Sequence, residues 1–266
     1  MKSLQMKKVI SKMTEDNPQP FTSHLVELRR RLVWVVVAMG LGTVISFMFA
    51  ENIYGFLVQP LADAGGGRLI YTGLTEAFFT YLKVSFFAGV FITFPILLYQ
   101  LWAFIAPGLY KDEKGAFLPF LIATPALFFL GGACVYYLVI PVAWDFFLSF
   151  QTSGGQTSLP IQLEARVSEY LELIMTLIFA FGLCFQLPVA LTLMGKAGLV
   201  KAQSLASKRK YAVIITFVVA AFLTPPDVIS QIGLAIPILG LYELSILLVR
   251  MVEQKNESAG TLSAEN

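Results

Sequence analysis

The sequence predicts an all-α polytopic membrane protein with six transmembrane helices, the last two of them short, and with both termini in the cytoplasm. Of its 266 residues, 57% are hydrophobic and only 14% are charged, whereas soluble domains carry about 25% charged residues. The apolar residues form long runs that can cross a ~30 Å hydrocarbon core. The lysines and arginines lie almost entirely in alternate connecting segments. An ordinary soluble domain is therefore excluded.

The first apolar run, Leu32–Ala50, follows Arg29, Arg30 and Arg31. Basic residues before an apolar stretch also begin a signal peptide, but this run exceeds the ~7–15 residues of a cleaved apolar region. The rest of the chain is equally apolar. We therefore interpret the run as an uncleaved first span, preceded by a cytoplasmic tail over residues 1–20.

Three longer apolar runs follow, each exceeding the ~20 residues that a crossing helix needs. They are Ala77–Ile105, Phe117–Phe150 and Val167–Met194. Prolines and glycines recur inside them, and membrane helices tolerate these residues as kinks and close-packing positions. The excess length predicts tilted helices or helices that project beyond the bilayer.

The last two apolar segments differ from the others. Tyr211–Thr224 has only 14 residues, or about 21 Å of helix, and the prolines that follow it must end the helix. Val228–Val249 comes next. Either the two are short spans in a thinned bilayer or they form a re-entrant hairpin. A partner helix against the short segment, at Val213 and Phe217, would lessen its mismatch with the bilayer.

The positive charges set the predicted orientation. Seven lysines and arginines precede the first span, two lie between the second and third, five between the fourth and fifth, and two follow the sixth. The opposite loops carry only Arg68 and Arg166, and Lys83 lies inside the second span. Positively charged loops stay in the cytoplasm. Residues 21–250 thus form a six-span membrane domain, and 251–266 form a cytoplasmic tail that we expect to be disordered.

Composition also excludes several classes of function. The net charge is only +2, so we expect no nucleic-acid partner. The single histidine, His24, argues against bis-histidine haem and His-ligated zinc, and Cys134 and Cys184 both lie in apolar runs. The sequence contains no metalloprotease motif, phosphate-binding loop or nucleophile elbow. It therefore indicates neither an enzyme nor a metal or cofactor site.

Some polar residues inside the spans need an explanation. Lys83 can extend towards the outer surface. Glu169 and Glu172 open the fourth span, where acidic residues suit the helix dipole. Gln186 lies on nearly the same face as Glu172, within about 40° at ~100° per residue. Its amide requires a hydrogen-bond partner across the bundle, either as packing within the chain or with another subunit.

Two acidic residues lie in basic surroundings on the inner side. Glu27 precedes Arg31 by four residues, which alone predicts an intrahelical pair. Glu113 lies in the short loop Lys111–Lys114, where solvation alone would explain it. Together these carboxylates could bind a cationic segment, ideally arginines with bidentate geometry.

Several segments, in their order and spacing, resemble the TatC family, the polytopic core of the twin-arginine protein translocase. The resemblance covers about Phe21–Arg250. The matching segments are His24–Leu32 (HLVELRRRL), Phe94–Tyr110 (FPILLYQLWAFIAPGLY), Lys111–Lys114, Phe181 with Gly182, Phe185–Val189 (FQLPV), Thr224–Gln231 (TPPDVISQ), Pro237 and Leu241–Glu243 (LYE).

The resemblance implies a signal-peptide receptor in the bacterial cytoplasmic membrane that helps to export folded proteins using the proton-motive force. It implies single-span TatA- and TatB-type partners, several copies in one complex, and contact with membrane lipid. It places twin-arginine recognition at Glu27, Arg29, Phe104 and Glu113, and further important positions at Tyr136 and Asp227. At the position of Gln186 the family usually carries glutamate. Because glutamine has no ionisable group, the resemblance implies for this chain a neutral hydrogen bond to a TatA-type helix instead of a charge there.

Two other functions stay open on the residues alone. A small-solute or proton-coupled transporter predicts a solute-selective flux and a paired ionisable site near the membrane midplane. We find no repeat that relates the first three spans to the last three, as many such transporters have. A structural anchor subunit predicts no dependence of function on Glu113.

Overall fold

A computed structural model describes residues 21–109, 118–154, 159–224 and 228–264 of the chain. A π-helical turn at Val135–Val139 interrupts the third predicted span. The α-helices in these ranges are α1 (Phe21–Met48), α2 (Ala50–Asp63), α3 (Glu76–Leu109), α4 (Leu118–Cys134), α5 (Ile140–Leu148), α6 (Val167–Cys184), α7 (Leu187–Lys196), α8 (Ala202–Ser207), α9 (Arg209–Leu223) and α10 (Val228–Ala264). The predicted all-α class is confirmed.

Five helical stretches of the described chain are long and apolar enough to cross a membrane, which makes the protein a multi-pass membrane protein. They are Leu25–Met48, Glu76–Leu101, Pro119–Leu148, Val167–Lys196 and Ser230–Lys255. The remaining predicted span, α9, has only 15 residues, or about 22 Å of helix. The prediction of a short fifth segment is thus confirmed.

Small residues allow α1 and α3 to approach closely. A Cβ atom at Gly89 would lie 2.6 Å from the Cα of Thr43, and one at Gly42 would lie 2.8 Å from the Cγ2 of Thr93. Both distances are far below van der Waals contact, so only glycine fits at either position. This crossing attaches α1 to the bundle, because most of the other side chains of α1 are exposed, from Leu25 to Met48.

The core lies between α4, the π-helical turn and α6. Phe128 and Phe181 are fully buried, and a Cβ at Gly182 would lie 2.5 Å from the Phe128 ring. Phe94 of α3 stacks on Phe128 at 3.6 Å between ring centroids. Aromatic rings thus fill the space that glycine leaves between the helices, which fixes the relative positions of the second, third and fourth spans.

Helix α2 was not predicted, and two tyrosines anchor it. Pro60 lies inside α2 and has no N–H group to donate to the carbonyl of Phe56. The hydroxyl of Tyr136 donates to that carbonyl at 2.6 Å, and the hydroxyl of Tyr170 donates to the carbonyl of Leu57 at 2.9 Å. The third and fourth spans therefore both hold α2 against the bundle.

The end of the chain corrects two predictions. α10 has 37 residues, so only the fifth of the last two spans is short. The helix continues to Ala264, and the disorder expected from residue 251 is therefore wrong up to that residue. Residues 251–264 contain no proline, and Glu253 accepts a hydrogen bond from the N–H of Ala202 at 3.1 Å, which holds this extension against α8.

Alternating helix directions give the molecule two faces. We call the side where α1 begins and α3 ends the basic face, and the opposite side the acidic face. At the basic face Arg209 makes a bidentate ion pair with Glu243, at 2.6 and 2.8 Å. At the acidic face the N–H of Ile70 donates to the carbonyl of Ala165 at 3.1 Å, which joins two connecting segments.

Candidate functional site

The basic face holds a carboxylate that already binds a guanidinium group. Arg31 donates from Nε to Glu27 Oε1 at 3.0 Å and also from Nη2 to the same oxygen. Its third nitrogen, Nη1, donates to Gln100 Oε1 of α3 at 3.0 Å. The expected intrahelical pair is confirmed. The contact with Gln100 makes it part of a network that joins two spans.

An apolar cavity of about 260 Å³ adjoins this network. Its wall includes Leu32 and Val35 from α1 and Leu101 and Phe104 from α3, with Arg31 and Gln100 at its polar end. Arg31 and Glu27 keep 20% and 31% of their side-chain surface exposed. A cation-binding group and an apolar groove thus lie side by side and remain open to a ligand.

The structure brings some of the expected binding residues together at this cavity. Phe104 lines it, and Glu27 pairs with the arginine at its mouth. Arg29 is exposed on the same helix. Glu113 lies outside the described residues, although α3 ends at Leu109, only four positions before it. Asp227, expected at the opposite face, also lies outside them.

Gln186 makes the predicted hydrogen bond across the bundle, and the acceptor is in this chain. Its Nε2 donates to the carbonyl of Thr124 at 3.0 Å and more weakly to that of Gly182 at 3.4 Å. Its Oε1 is buried and has no donor among the described residues. Gln186 lies where α6 ends and α7 begins, two residues before Pro188, so its amide links this junction in the fourth span to the third span.

Of the other expected site residues, Tyr136 holds α2 in place, and Val213 and Phe217 lie on an exposed helix, α9. Tyr136 is buried, donates to Phe56 and stacks on its ring at 4.3 Å. On α9 only Thr216 and Ala220 are buried, while Val213 and Phe217 remain 39% and 36% exposed. Gln231 of α10 donates to the carbonyl of Phe217 at 3.1 Å, which holds α9 in place and leaves its apolar side open.

Ion pairs cross between the second and fourth spans at the acidic face. Glu76 accepts from Ser168 and, at 2.9 Å, from the N–H of Thr72, and it pairs with Arg166 at 3.3 Å. The hydrogen bond and the charge of Glu76 raise the pKa of Arg166 above its ordinary value. Lys83 reaches outward, as expected, and its ammonium lies 3.3 Å from the Glu172 carboxylate.

Sequence reasoning missed Gln100 and Glu76. Gln100 is a single amide near the inner end of a long apolar run, and this pattern could have indicated a polar contact there. Glu76 is the first residue of α3, and its carboxylate accepts hydrogen bonds from the N–H groups of Thr72 and Gly73 just before it. That turn could have been recognised as a helix start. The role of the Thr124 carbonyl has no signal in the sequence.

The chain matches the family model described as "Sec-independent protein translocase protein (TatC)" over residues 23–237. A protein of that name from Magnetococcus marinus is 50% identical over 238 residues, which cover 89% of this chain and 86% of that protein. The Escherichia coli protein of that name is 36% identical over 248 residues, covering 92% and 94%.

Solved structures agree with these sequence matches. The crystal structure titled "Twin Arginine Translocase Receptor- TatC" superposes with a TM-score of 0.76 at 38% identity, covering 86% of this chain and 99% of that one. A second structure of that receptor, in a detergent, gives a TM-score of 0.75 at 39% identity. The likeness therefore extends over nearly the whole length of the solved chains.

Proposed function

The chain belongs to the TatC family of Sec-independent protein translocase proteins, and we propose that it is the receptor subunit of a twin-arginine translocase. In this role it binds the signal peptides of folded proteins at the basic face and exports these proteins with energy from the proton-motive force. The basic face is cytoplasmic in this proposal, with both termini there, as the distribution of lysine and arginine favours. The membrane is then the bacterial cytoplasmic membrane.

One observation carries the proposal: the basic face already binds an arginine beside an apolar cavity. A signal peptide has a basic segment followed by about 7–15 apolar residues, so its two parts match the Glu27 carboxylate and the groove next to it. An arginine of the peptide would take the place of Arg31 on Glu27. Gln100 then remains as an acceptor for Arg31, so that the displaced guanidinium keeps one partner in the site.

Glu113 supplies the second carboxylate in this proposal. It follows the end of α3 by four residues, a reach of roughly 14 Å at most, and Phe104 on the same helix lines the cavity. Two carboxylates would hold two neighbouring arginines. Arginine offers a planar fork of donors that lysine lacks, so this arrangement favours a twin-arginine over a twin-lysine peptide.

The single-span TatA- and TatB-type partners are proposed to bind along α9. Support comes from its short apolar length and from the exposed side chains of Val213 and Phe217. A partner helix would shield this apolar surface and lessen the mismatch with the bilayer. The Oε1 of Gln186 has no donor among the described residues, and it could accept a hydrogen bond from a hydroxyl or amide group of such a partner once the side chain turns out of the bundle. We also propose that several copies of the chain share one complex.

A deletion strain tests the proposal. Without this protein, substrates with twin-arginine signals should stay in the cytoplasm while Sec-dependent export continues, and the wild-type gene should restore their export. The Glu51→Gln variant, which changes an exposed carboxylate outside the proposed site, should restore export as well. Normal export of twin-arginine substrates in the deletion strain would contradict the proposal.

A further inference from the structure

Two adjoining cavities open at the acidic face, far from the proposed signal-peptide site. The first, of about 460 Å³, lies between α2 and the outer half of the third span, and Gln59, Asp63 and Asp145 give it a polar wall. The second, of about 310 Å³, is a slot lined by apolar side chains of α2, α3 and α4. Both have Phe56, Tyr136 and Tyr137 in their walls, so the two cavities are direct neighbours.

The polar cavity carries negative charge that nothing in the described chain neutralises. Asp63 accepts a hydrogen bond from Gln59 at 2.7 Å, and neither Asp63 nor Asp145 pairs with a lysine or arginine among the described residues. The basic side chains described on this face already pair with glutamates. These pairs are Arg68 with Glu164, Lys83 with Glu172, and Arg166 with Glu76 and Glu169. A cation from outside the chain would therefore complement the cavity.

The apolar slot continues from the acidic face towards the middle of the bilayer. Its walls include Phe87, Phe91 and Ile92 along the outer half of α3, and Ala133 opposite them. The slot is open towards the bilayer, because Phe56 and Tyr137 at its entrance keep 52% and 67% of their surface exposed. An occupant can enter sideways from the outer leaflet without unfolding any part of the chain.

The size of the slot suits a hydrocarbon chain better than a helix. A helix with its side chains is about 10 Å across, so the slot cannot enclose one and could receive only side chains of a helix that lies across its opening. A single hydrocarbon chain is far thinner. An occupant that joins a cationic head to a hydrocarbon chain, with the head at the membrane surface, is a phospholipid.

We propose that the paired cavities bind one outer-leaflet phospholipid with a primary ammonium head group, as in phosphatidylethanolamine. The ammonium group lies between Asp63 and Asp145 and donates hydrogen bonds to their carboxylates, and one acyl chain fills the slot along α3. A primary ammonium has N–H groups to donate, whereas the quaternary ammonium of phosphatidylcholine has none, and phosphatidylglycerol is anionic. This inference is independent of the proposed translocase function.

Lipid retention on the purified protein tests the head-group preference. The protein is exchanged into detergent with equal amounts of phosphatidylethanolamine, phosphatidylcholine and phosphatidylglycerol of identical acyl chains, and bound lipids are counted by native mass spectrometry. We expect phosphatidylethanolamine to be retained about 2- to 5-fold more than the others, the range for exposed ion pairs. Equal retention of all three lipids would overturn the proposal.

Variants separate the head-group site from the slot. The double variant Asp63→Asn with Asp145→Asn should lose the preference, while Glu51→Gln, an exposed carboxylate on α2 outside the cavities, should keep it. Ala133→Trp, which fills the slot, should lower retention of all three lipids. A double variant that keeps the preference contradicts the head-group site. If Ala133→Trp leaves lipid retention unchanged but lowers co-purification of a single-span partner, the slot binds protein, and the proposal is wrong.

Discussion

The hydroxyl of Tyr136 donates a 2.6 Å hydrogen bond to the carbonyl of Phe56, the carbonyl that Pro60 leaves without its helical donor. Pro60 in α2 leaves the Phe56 carbonyl without a helical hydrogen bond, and the hydroxyl of Tyr136 in the third span donates to it instead. The Tyr136 ring also stacks on the Phe56 ring. This contact fixes α2 over the bundle, and both residues line the two cavities of the acidic face.

Removing the Tyr136 hydroxyl should destabilise the protein more while Pro60 is present than after Pro60 is replaced. Tyr136→Phe keeps the ring and should lower the free energy of unfolding by ~1 kcal/mol. In a Pro60→Ala background the N–H of residue 60 can donate to the Phe56 carbonyl, so Tyr136→Phe should lower the free energy of unfolding clearly less. Thermal unfolding in detergent of the wild type, the two single variants and the double variant measures the difference. Tyr137→Phe, at an exposed neighbour, is the control. Equal costs in both backgrounds would show that the hydroxyl does not compensate for the proline.

The crossing of α1 and α3 should tolerate no side chain at Gly89. A methyl group there would overlap the backbone at Thr43, so Gly89→Ala should cost ~1–3 kcal/mol of stability. Gly40→Ala is the matched control on α1, because a Cβ there meets nothing within 4 Å. It should be neutral or stabilise by up to ~1 kcal/mol. Similar unfolding temperatures for the two variants would mean that the close approach is absent.

The long apolar segments, the separation of α9 from α10 and the hydrogen bond of Gln186 across the bundle could be predicted from the sequence. These follow from hydropathy, from the missing N–H of proline and from the cost of a buried amide. Helix α2 could not be predicted from total hydropathy, because it is short and contains a proline. Ile53, Leu57 and Leu61 do repeat at helical spacing, and Leu57 and Leu61 are buried.

The candidate site was predictable only in part. The Glu27–Arg31 pair follows from a spacing of four residues on one helix. Arg31 of this pair also donates to Gln100, which lies 69 positions further along the chain. This contact depends on how α1 crosses α3, and no local sequence pattern encodes that crossing. The length of α10 was also missed, because the polar residues after Val249 resemble a tail until α8 provides a surface to pack against.

A cysteine-labelling experiment should place the basic face in the cytoplasm. A cysteine at Ser258, near the end of α10, should resist a membrane-impermeant reagent in intact spheroplasts and react after lysis. A cysteine at Gly67 should react in both. Gly67 suits this better than Gly66, where a Cβ would lie 2.6 Å from the Leu61 side chain. The background is a variant without Cys134 and Cys184. The reverse pattern would overturn the orientation.

Cysteine pairs should cross-link α9 to a single-span partner. Positions along residues 211–224 should cross-link with a TatA- or TatB-type span in the assembled complex, and a bulky charged residue at Val213 or Phe217 should strongly reduce partner association. Gln186→Ala should weaken association only modestly, since a membrane hydrogen bond contributes ~0.6 kcal/mol on average. Cross-links at the first span together with none at α9 would place the partner elsewhere.

The twin-arginine site is tested most directly by peptide binding to single carboxylate variants. The affinities of a twin-arginine and a twin-lysine signal peptide are measured for the purified wild type, Glu27→Gln, Glu113→Gln and the control Glu51→Gln. Charge-assisted hydrogen bonds contribute ~1.5–3 kcal/mol, roughly 10- to 150-fold in affinity. Glu27→Gln and Glu113→Gln should therefore weaken the twin-arginine peptide much more than the twin-lysine peptide, and Glu51→Gln should change neither. An equal loss for both peptides, or no loss in either site variant, would contradict a receptor site built on these carboxylates.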